Sequence, residues 1–503
     1  MAETQHTQLV CYTLLCILLV AIVVKLKLKL RRGAGRLNQL PPGPWALPVI
    51  GHMHLLLGAI PHQAMHRLAR RHGPVMLLRL GHVPTLVLSS AEAAREVMKV
   101  HDAAFADRPV YATADIFTYG GEDISFARHD SRHWKALRKL CAVELLSPRR
   151  VRSFRRVREE EAARLVRSVA DAGPVVNVGD MLKVMMNDVV MRASVGDRCA
   201  QRDAYLEELD RVLDLMSGFN FIDLFPASRL ARAIGGRALG ATWEVHRRIH
   251  SIMDAMISDH RTAMEGEDDN DAGREQRGDI LTTLLRFQRD GGIGGVALTN
   301  ENISARRPLS TTTIWAMSEL MRSPHIIAAA QSEVRQVLHG KTEVTEADID
   351  GRLHYLHMVI KETFRLHPPV PLLMPRLCTE QTKVMGYDIP QGTTVFVNVS
   401  AIGRDEKSWT DANEFMPKRF DGEKVDYGGT DFRFLPGGAG RRMCPGMMFG
   451  VSNIEMALAS LLYHFDWKLP DGGNPEKLDM SEAYGITARR RTELVLEATV
   501  FVP

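Results

Sequence analysis

The feature that most constrains this chain is a glycine-rich loop that ends in a single cysteine. The loop runs from Phe434 to Gly446 with the sequence Phe-Leu-Pro-Gly-Gly-Ala-Gly-Arg-Arg-Met-Cys-Pro-Gly. Its glycines allow the backbone to approach a large flat partner closely. The spacing of apolar residues predicts a helix from Met447 to Tyr463, so Cys444 lies just before a helix N-terminus, where the helix dipole favours a thiolate. The loop therefore indicates a cysteine that binds a metal, and the alternative is a glycine-rich turn around an inert cysteine.

The spacing Gly-x-Arg-x-Cys-x-Gly, from Gly440 to Gly446, resembles the haem-thiolate loop of the cytochromes P-450. In that family a cysteine thiolate binds the haem iron and favours cleavage of the O–O bond. The resemblance implies haem b, an iron protoporphyrin, with Cys444 as the axial ligand of the iron and Arg442 at a haem propionate. One position departs from the family pattern, because the Phe that is usual seven residues before the cysteine is replaced by Gly437. This replacement predicts looser packing below the haem.

Composition restricts the class of protein further. The chain has 503 residues, of which 45% are hydrophobic and 25% charged, so it can form a sizeable globular core. Its net charge of +4 is too small to favour nucleic acid as a partner. The six cysteines contain no CxxC pair, which argues against a zinc site or a disulfide scaffold and fits a reducing compartment.

The N-terminus carries a predicted membrane anchor. Residues 9–24 are almost wholly apolar, and a helix of about 22 residues would span about 33 Å. The positive residues follow this stretch, from Lys25 to Arg36, whereas a cleavable signal peptide would carry them in front of it. We therefore expect residues 1–32 to be an uncleaved single-pass anchor in the endoplasmic reticulum membrane, in contact with lipid and with the catalytic domain in the cytosol.

A basic, proline-rich hinge at residues 33–44 separates this anchor from the body. Its prolines prevent the helix from continuing, and a ligand for SH3-type modules is the competing interpretation. Residues 45–503 form the expected haem-thiolate monooxygenase domain. Strand-like runs occur at residues 75–80 and 85–88, while most other segments have helical patterns. The expected fold is mainly α, the cytochrome P-450 fold, with a large helical domain and a small β-sheet region behind the anchor helix.

Two further motifs resemble the propionate-binding residues of the family. Trp134 and Arg138 are four residues apart and therefore share a helix face. An indole N–H beside a guanidinium suits a carboxylate, and the alternative is a surface arginine beside a half-buried tryptophan. The resemblance implies that this pair meets one haem propionate and that Arg376 meets the other.

A charged helix motif carries the predicted structural network. Glu362 and Arg365 lie three residues apart in an otherwise apolar helix that ends at a Pro-Pro pair. The segment resembles the ExxR helix of the family, whose third partner is the arginine of a Pro-x-Arg-Phe segment, here Arg419. By resemblance these three residues hold the haem-binding loop, and the loss of one would strand a buried charge.

A run of six arginines between Pro148 and Arg158 is the main basic cluster of the chain. Such a run is usually a solvated helix face. Together with Lys135 and Lys139 it could instead bind an acidic electron donor. The resemblance implies an NADPH-cytochrome reductase as that partner.

The element that activates oxygen in the family is missing its centre. The family carries an acid–Thr pair in a long central helix, but here the segment around Ala305 is short by roughly two and a half turns. Pro308 would cost a helix interior about 3 kcal/mol. Glu301 lies ten residues before Thr311 and across the proline, so no catalytic residue is assigned.

Three interpretations of this gap remain open. The expected function is hydroxylation of a small apolar plant metabolite, such as a terpenoid, with O2 and NADPH-derived electrons. The alternatives are a haem-binding pseudoenzyme or mis-spliced gene model, and a peroxide-rearranging haem-thiolate isomerase or lyase. Walls of the substrate pocket are expected at residues 111–126, 372–374 and 484–487.

Overall fold

The computed structural model describes residues 39–198, 201–215, 220–265, 278–292, 296 and 310–502. The predicted anchor at residues 1–32 and the altered segment with Glu301 and Pro308 lie outside this part of the chain. Within it, no helix combines the length and the hydropathy that crossing a membrane requires.

Helices dominate the described part, as expected. The α-helices, in chain order, are α1 (Pro61–His72), α2 (Ala91–Arg95), α3 (Ala112–Phe117), α4 (Arg132–Leu140), α5 (Pro148–Ser153), α6 (Arg155–Asp171), α7 (Val178–Val195), α8 (Arg202–Leu215), α9 (Phe221–Leu224), α10 (Arg229–Glu265), α11 (Ile280–Arg289), α12 (Thr311–Arg322), α13 (Pro324–Val337), α14 (Glu346–Ile349), α15 (His354–Leu366), α16 (Val399–Ile402) and α17 (Met447–His464). The helix predicted after the cysteine loop is confirmed as α17.

Small sheets accompany the helices, which confirms a mainly helical fold with minor β-structure. The strands are β1 (Val75–Leu80), β2 (Val83–Leu88), β3 (Val175–Asn177), β4 (Arg376–Leu377), β5 (Thr382–Val384), β6 (Tyr387–Ile389), β7 (Thr394–Val397), β8 (Phe465–Lys468) and β9 (Val495–Val500). They form sheets with the strand orders β1-β2-β7-β4, β3-β9-β8 and β5-β6. Strands β1 and β2 are antiparallel, whereas β2 and β7 are parallel, with Thr85 opposite Thr394.

One expected helix is divided. The sequence from Ser147 to Ala172 reads as a single helix, but the structure breaks it at Phe154 into α5 and α6. Phe154 has φ −87° and ψ 5°, outside the helical range, and its ring is buried edge-on against Phe449 at 6.1 Å between centroids. Burial of this ring redirects the chain, which a repeating apolar pattern does not reveal.

The largest apolar core is formed by α6, α7, α12, α13, α15 and α17. Helix α17 has buried apolar residues around most of its circumference, so it lies inside the core and not on its surface. Helix α15 ends at Leu366, with His367 as its C-cap, because the two prolines that follow disfavour helical backbone in the residue before them. The core therefore fixes both the start of α17, next to the cysteine loop, and the helix with the ExxR motif.

Candidate functional site

The cysteine loop folds back on itself before α17. The backbone N–H of Cys444 donates to the carbonyl oxygen of Gly437 at 2.9 Å. Gly440 has φ 67°, and a Cβ there would lie 2.6 Å from Asp102 Oδ1 and even closer to the carbonyl oxygen of Met98. Only glycine fits this close approach, so the loop packs directly against the segment that contains Met98 and Asp102.

A buried carboxylate, that of Asp102, also holds the loop in place. Asp102 accepts hydrogen bonds from the backbone N–H of Arg441 at 2.9 Å and from its guanidinium at 3.0 Å. It also accepts one from Arg376 at 2.9 Å. Asp102 is 6% exposed, so one carboxylate joins the loop to β4 in a buried position. Sequence reasoning missed this residue, because a single aspartate 342 positions before Cys444 carries no local pattern.

Opposing effects act on the Cys444 thiol. Burial raises its pKa, while the backbone N–H of Gly446 and the charge of Arg138 lower it, and burial prevails. Burial of the sulfur therefore works against the expected thiolate. The Arg138 guanidinium has no hydrogen bond or ion pair with the residues that the structure describes, and burial lowers its pKa. A metal cation at the sulfur would supply the missing stabilisation of the thiolate.

Trp134 and Arg442 meet each other. Ser131 caps α4 by accepting from the N–H of Trp134, which fixes the helix that carries this side chain. The Arg442 guanidinium lies over the Trp134 ring at 4.7 Å from its centroid. Trp134 Nε1 donates to the carbonyl oxygen of Ile124 at 3.0 Å, and Arg442 Nε donates to that of Ala106 at 2.6 Å. Burial lowers the pKa of Arg442 to about 10.

Arg108 is a further member of this cluster that sequence reasoning did not single out. Its guanidinium donates to the carbonyl oxygens of Met374 and Pro375, both at 2.7 Å. Burial, followed by repulsion from Arg442 and Arg376, places its pKa well below the usual range. Its segment, Phe-Ala-Asp-Arg-Pro at residues 105–109, has no periodic pattern or spacing that points to this role.

The cluster carries an excess of positive charge. Arg376 is paired with Asp102. The guanidinium groups of Arg108, Arg138 and Arg442 have no carboxylate within ion-pair distance in the described part of the chain. Such groups repel one another in a region of restricted solvent unless an anion lies between them. A thiol ligand next to a surplus of guanidinium groups fits an iron porphyrin with two carboxylate side chains, so the residues present fit haem b.

The three residues of the predicted structural network are in contact. Arg365 donates to both oxygens of Glu362 at 2.6 and 2.7 Å, and Arg419 donates to Oε1 at 2.9 Å. The remaining donors of Arg365 reach the carbonyl oxygens of Gly403, Ala412 and Glu414. Glu362 and Arg365 are buried, so the network ties α15 to the irregular segment that leads to the cysteine loop.

On the opposite side, α12 begins with three threonines. All three are buried, and the hydroxyls of Thr312 and Thr313 have no hydrogen-bond partner among the residues that the structure describes. Thr311 lines the main cavity. The acid that would complete a proton relay, Glu301, lies outside the described residues, so these hydroxyls receive no catalytic assignment.

The expected substrate walls line two cavities. The larger has a volume of about 510 Å³ and includes Phe126, Met374 and Ile486 in its lining. A smaller one of about 60 Å³ shares these three residues and adds Leu372 and Leu373. The three expected segments therefore come together, although Tyr484 itself lines neither cavity.

Comparison with known proteins gives matches along nearly the whole chain. The family model described as Cytochrome P450 matches residues 41–495. Zealexin A1 synthase of Zea mays is 45% identical over 494 residues, which cover 95% of each chain. Dolabradiene monooxygenase of Zea mays is 44% identical over 495 residues, and ent-isokaurene C2/C3-hydroxylase of Oryza sativa subsp. japonica is 46% identical over 499 residues, each with 95% of both chains covered.

Proposed function

We propose that this chain, which belongs to the cytochrome P450 family, is a haem-dependent monooxygenase that hydroxylates a small apolar plant metabolite with O2 and NADPH-derived electrons. Terpenoids are the proposed substrate class, because the three relatives named above are a zealexin synthase, a dolabradiene monooxygenase and an ent-isokaurene hydroxylase. The observation that carries the proposal is Cys444 just before α17, beside a surplus of half-buried guanidinium groups that have no carboxylate partner among the described residues.

The residues around the cysteine divide the task of holding haem b. Cys444 would bind the iron through its sulfur. Trp134, Arg138, Arg376 and Arg442 are the proposed donors to the propionates, and Arg108 joins them because its guanidinium lies in the same cluster. When bound, the haem supplies a redox-active iron that binds and activates O2. The chain itself orients this group and excludes water from it.

Glu362, Arg365 and Arg419 are proposed to hold the loop that carries the ligand. Glu362 and Arg365 are buried, Arg419 is half-buried, and all three are hydrogen-bonded, so the backbone between α15 and α17 has few alternative positions. Their role is structural, because none of them is placed to touch a substrate.

The electron donor is proposed to bind a basic surface on α4, α5 and α6. Arg158 is buried against Glu346 and Arg150 donates to backbone carbonyls, so two of the six arginines serve the fold. Arg149, Arg152 and Arg155 are exposed and have no ion pair among the described residues, and Lys135 and Lys139 are exposed on α4. An acidic NADPH-cytochrome reductase fits this charge.

Residues 1–32 are proposed to anchor the protein in the endoplasmic reticulum membrane. Support comes from the apolar stretch and the positive residues that follow it. A chain that lacks residues 1–32 is expected in the soluble fraction of a cell lysate, while the full chain is expected with the microsomes. Equal distribution of the two chains would contradict the anchor.

The function is tested with the full chain produced with haem. The reduced, CO-bound spectrum should show the Soret shift of thiolate ligation, and Cys444→Ser should abolish it. Wild-type protein without this shift would overturn the haem assignment. Turnover of an olefinic terpenoid with reductase and NADPH would support a monooxygenase.

Two other outcomes identify the alternatives. Turnover of a lipid hydroperoxide without reductase would identify a rearranging isomerase or lyase, and haem binding without any turnover would identify a pseudoenzyme. Sequencing of the transcript across codons 300 to 315 distinguishes a real gap from a mis-spliced gene model.

A further inference from the structure

Gly437 occupies a position where the backbone does not require glycine. Unlike its neighbours Gly438 and Gly440, it does not have a positive φ. A Cβ at this position would lie 3.4 Å from the Cβ of Cys444, which is ordinary contact. The same atom would lie 3.1 Å from Met447 Sδ and 3.5 Å from Met447 Cγ. The space beside the cysteine is therefore limited by a methionine side chain and not by the main chain.

Met447 is held firmly in this place. It is the first residue of α17 and is 8% exposed. It follows Cys444 by three residues. The hydrogen bond from the Cys444 N–H to the carbonyl oxygen of Gly437 fixes the position of Gly437 relative to the cysteine. The sequence predicted looser packing at Gly437, but the thioether lies only 3.1 Å from the point where a side chain of residue 437 would begin.

We propose that Met447 is a positioning residue for the Cys444 ligand, whose thioether fills the space that Gly437 leaves open and keeps water away from the ligand sulfur. The thioether suits this position because it carries no N–H or O–H donor and is polarisable. Hydrogen bonds to a ligating sulfur and its exposure to solvent set the reduction potential of the metal. The Gly437–Met447 pair thus controls both how long the thiolate ligation persists and the reduction potential of the haem.

The proposal rests on haem ligation by Cys444 and predicts distinct effects for two substitutions. Met447→Ala removes the cover and leaves room for water, so the reduction potential should shift upward and the reduced CO complex should lose its thiolate Soret band faster. Met447→Leu keeps the volume without the sulfur, so it should preserve both properties close to wild type. Reduction potential and decay rate are measured by spectroscopic titration and by the Soret band over time.

A second pair of variants tests the shared space. Gly437→Phe alone should clash with Met447 and lower the yield of haem-bound protein. Combining it with Met447→Ala should restore haem binding, because the ring then occupies the vacated volume. Rescue in the double variant supports the proposal even if Gly437→Phe alone does not fold.

The outcomes separate the two assignments. If Met447→Ala keeps the wild-type potential and the wild-type decay of the thiolate band, the positioning role is wrong while haem ligation stands. If Met447→Ala does not restore haem binding to Gly437→Phe, the two side chains do not compete for the same space, and that part of the proposal is wrong. If wild-type protein shows no thiolate Soret band at all, haem ligation and the role of Met447 are both overturned.

Discussion

At the residue scale, two buried carboxylates hold the ligand loop, one through the segment that precedes it and one through the loop itself. Glu362 fixes the segment before the loop through Arg365 and Arg419, and Asp102 fixes its middle through Arg441. Each carboxylate accepts several hydrogen bonds from guanidinium or backbone N–H groups. Removing one acceptor in a buried site leaves the donors unsatisfied, which costs more than the pair itself contributes.

Asp102→Asn should therefore destabilise the protein and weaken haem retention. Its amide cannot neutralise Arg376 and places an NH2 group among donors. We expect a loss of about 3–5 kcal/mol, the usual cost of breaking a buried ion pair. The measurements are the urea midpoint and the haem content after gel filtration. Asp350→Asn, at an exposed position, is the control and should stay within about 0.5 kcal/mol of wild type; equal effects of the two changes would contradict the argument.

Arg365→Lys keeps the charge and should still prevent stable haem binding. A lysine ammonium has three donors and cannot reproduce the planar fork that reaches both Glu362 oxygens and three backbone carbonyls. We expect little or no thiolate Soret band in the reduced CO spectrum. Arg352→Lys is the matched control, because Arg352 is exposed and, within the described part of the chain, its guanidinium donates only to the carbonyl oxygen of Asp348 at 3.1 Å. A normal spectrum for Arg365→Lys would show that charge alone suffices.

Two of the residue pairs that the sequence predicted have a fixed local spacing, whereas Arg376, Arg419 and Arg442 were predicted from their resemblance to motifs of the family. Trp134 and Arg138, or Glu362 and Arg365, are recognisable because a helix repeats every 3.6 residues. Asp102 and Arg108 were missed because they reach the site only through the fold, from a segment with little regular structure. The break at Phe154 was missed because it depends on the place where one ring is buried.

At the element scale, α15 and α17 are joined by a half-buried polar contact as well as by the apolar core. His357 on α15 meets Glu455 on α17 at 2.6 Å. The hydrogen bond to Glu455, opposed by partial burial, raises the pKa of His357. These two helices carry the ExxR motif and the start of the ligand helix, so their contact bears on the stability of the site.

This pair predicts a pH dependence with a definite sign. Because the pKa of His357 is higher in the folded than in the unfolded state, its stabilisation is complete below the unfolded pKa of about 6.5 and is lost as pH rises through the folded pKa. The Tm difference between wild type and His357→Gln should therefore be largest near pH 6 and smaller near pH 9. His325→Gln, at an exposed position on α13, should show no such trend. A difference that grows with pH would contradict the assignment.

At the scale of the whole molecule, charge is distributed unevenly. The net charge is only +4, yet exposed basic residues concentrate on α4, α5 and α6. Such a patch acts mainly on the rate of encounter with an oppositely charged partner. Its effect should therefore depend on ionic strength more than the effect of any buried residue.

Reversing part of this patch should impair electron transfer from the reductase. For Arg149→Glu combined with Arg152→Glu, we expect the KM for reductase to rise several-fold at low salt and to approach the wild-type value at high salt. The reduced CO spectrum should remain normal. Arg232→Glu with Arg237→Glu, both exposed on α10, is the control and should change neither value. A salt-independent loss in the first variant would indicate damage to the fold.

The pairing of β2 with β7 has a consequence for synthesis on the ribosome. Thr85 and Thr394 are neighbours in the sheet but are translated roughly 300 residues apart. At about 5–20 residues per second, β2 waits roughly 15–60 s for its parallel partner. Until then its buried edge is an unpaired strand, which chaperones must protect from aggregation. Nascent chains released before β7 emerges should thus lack the sheet on which Arg376 and the haem-binding half of the molecule depend.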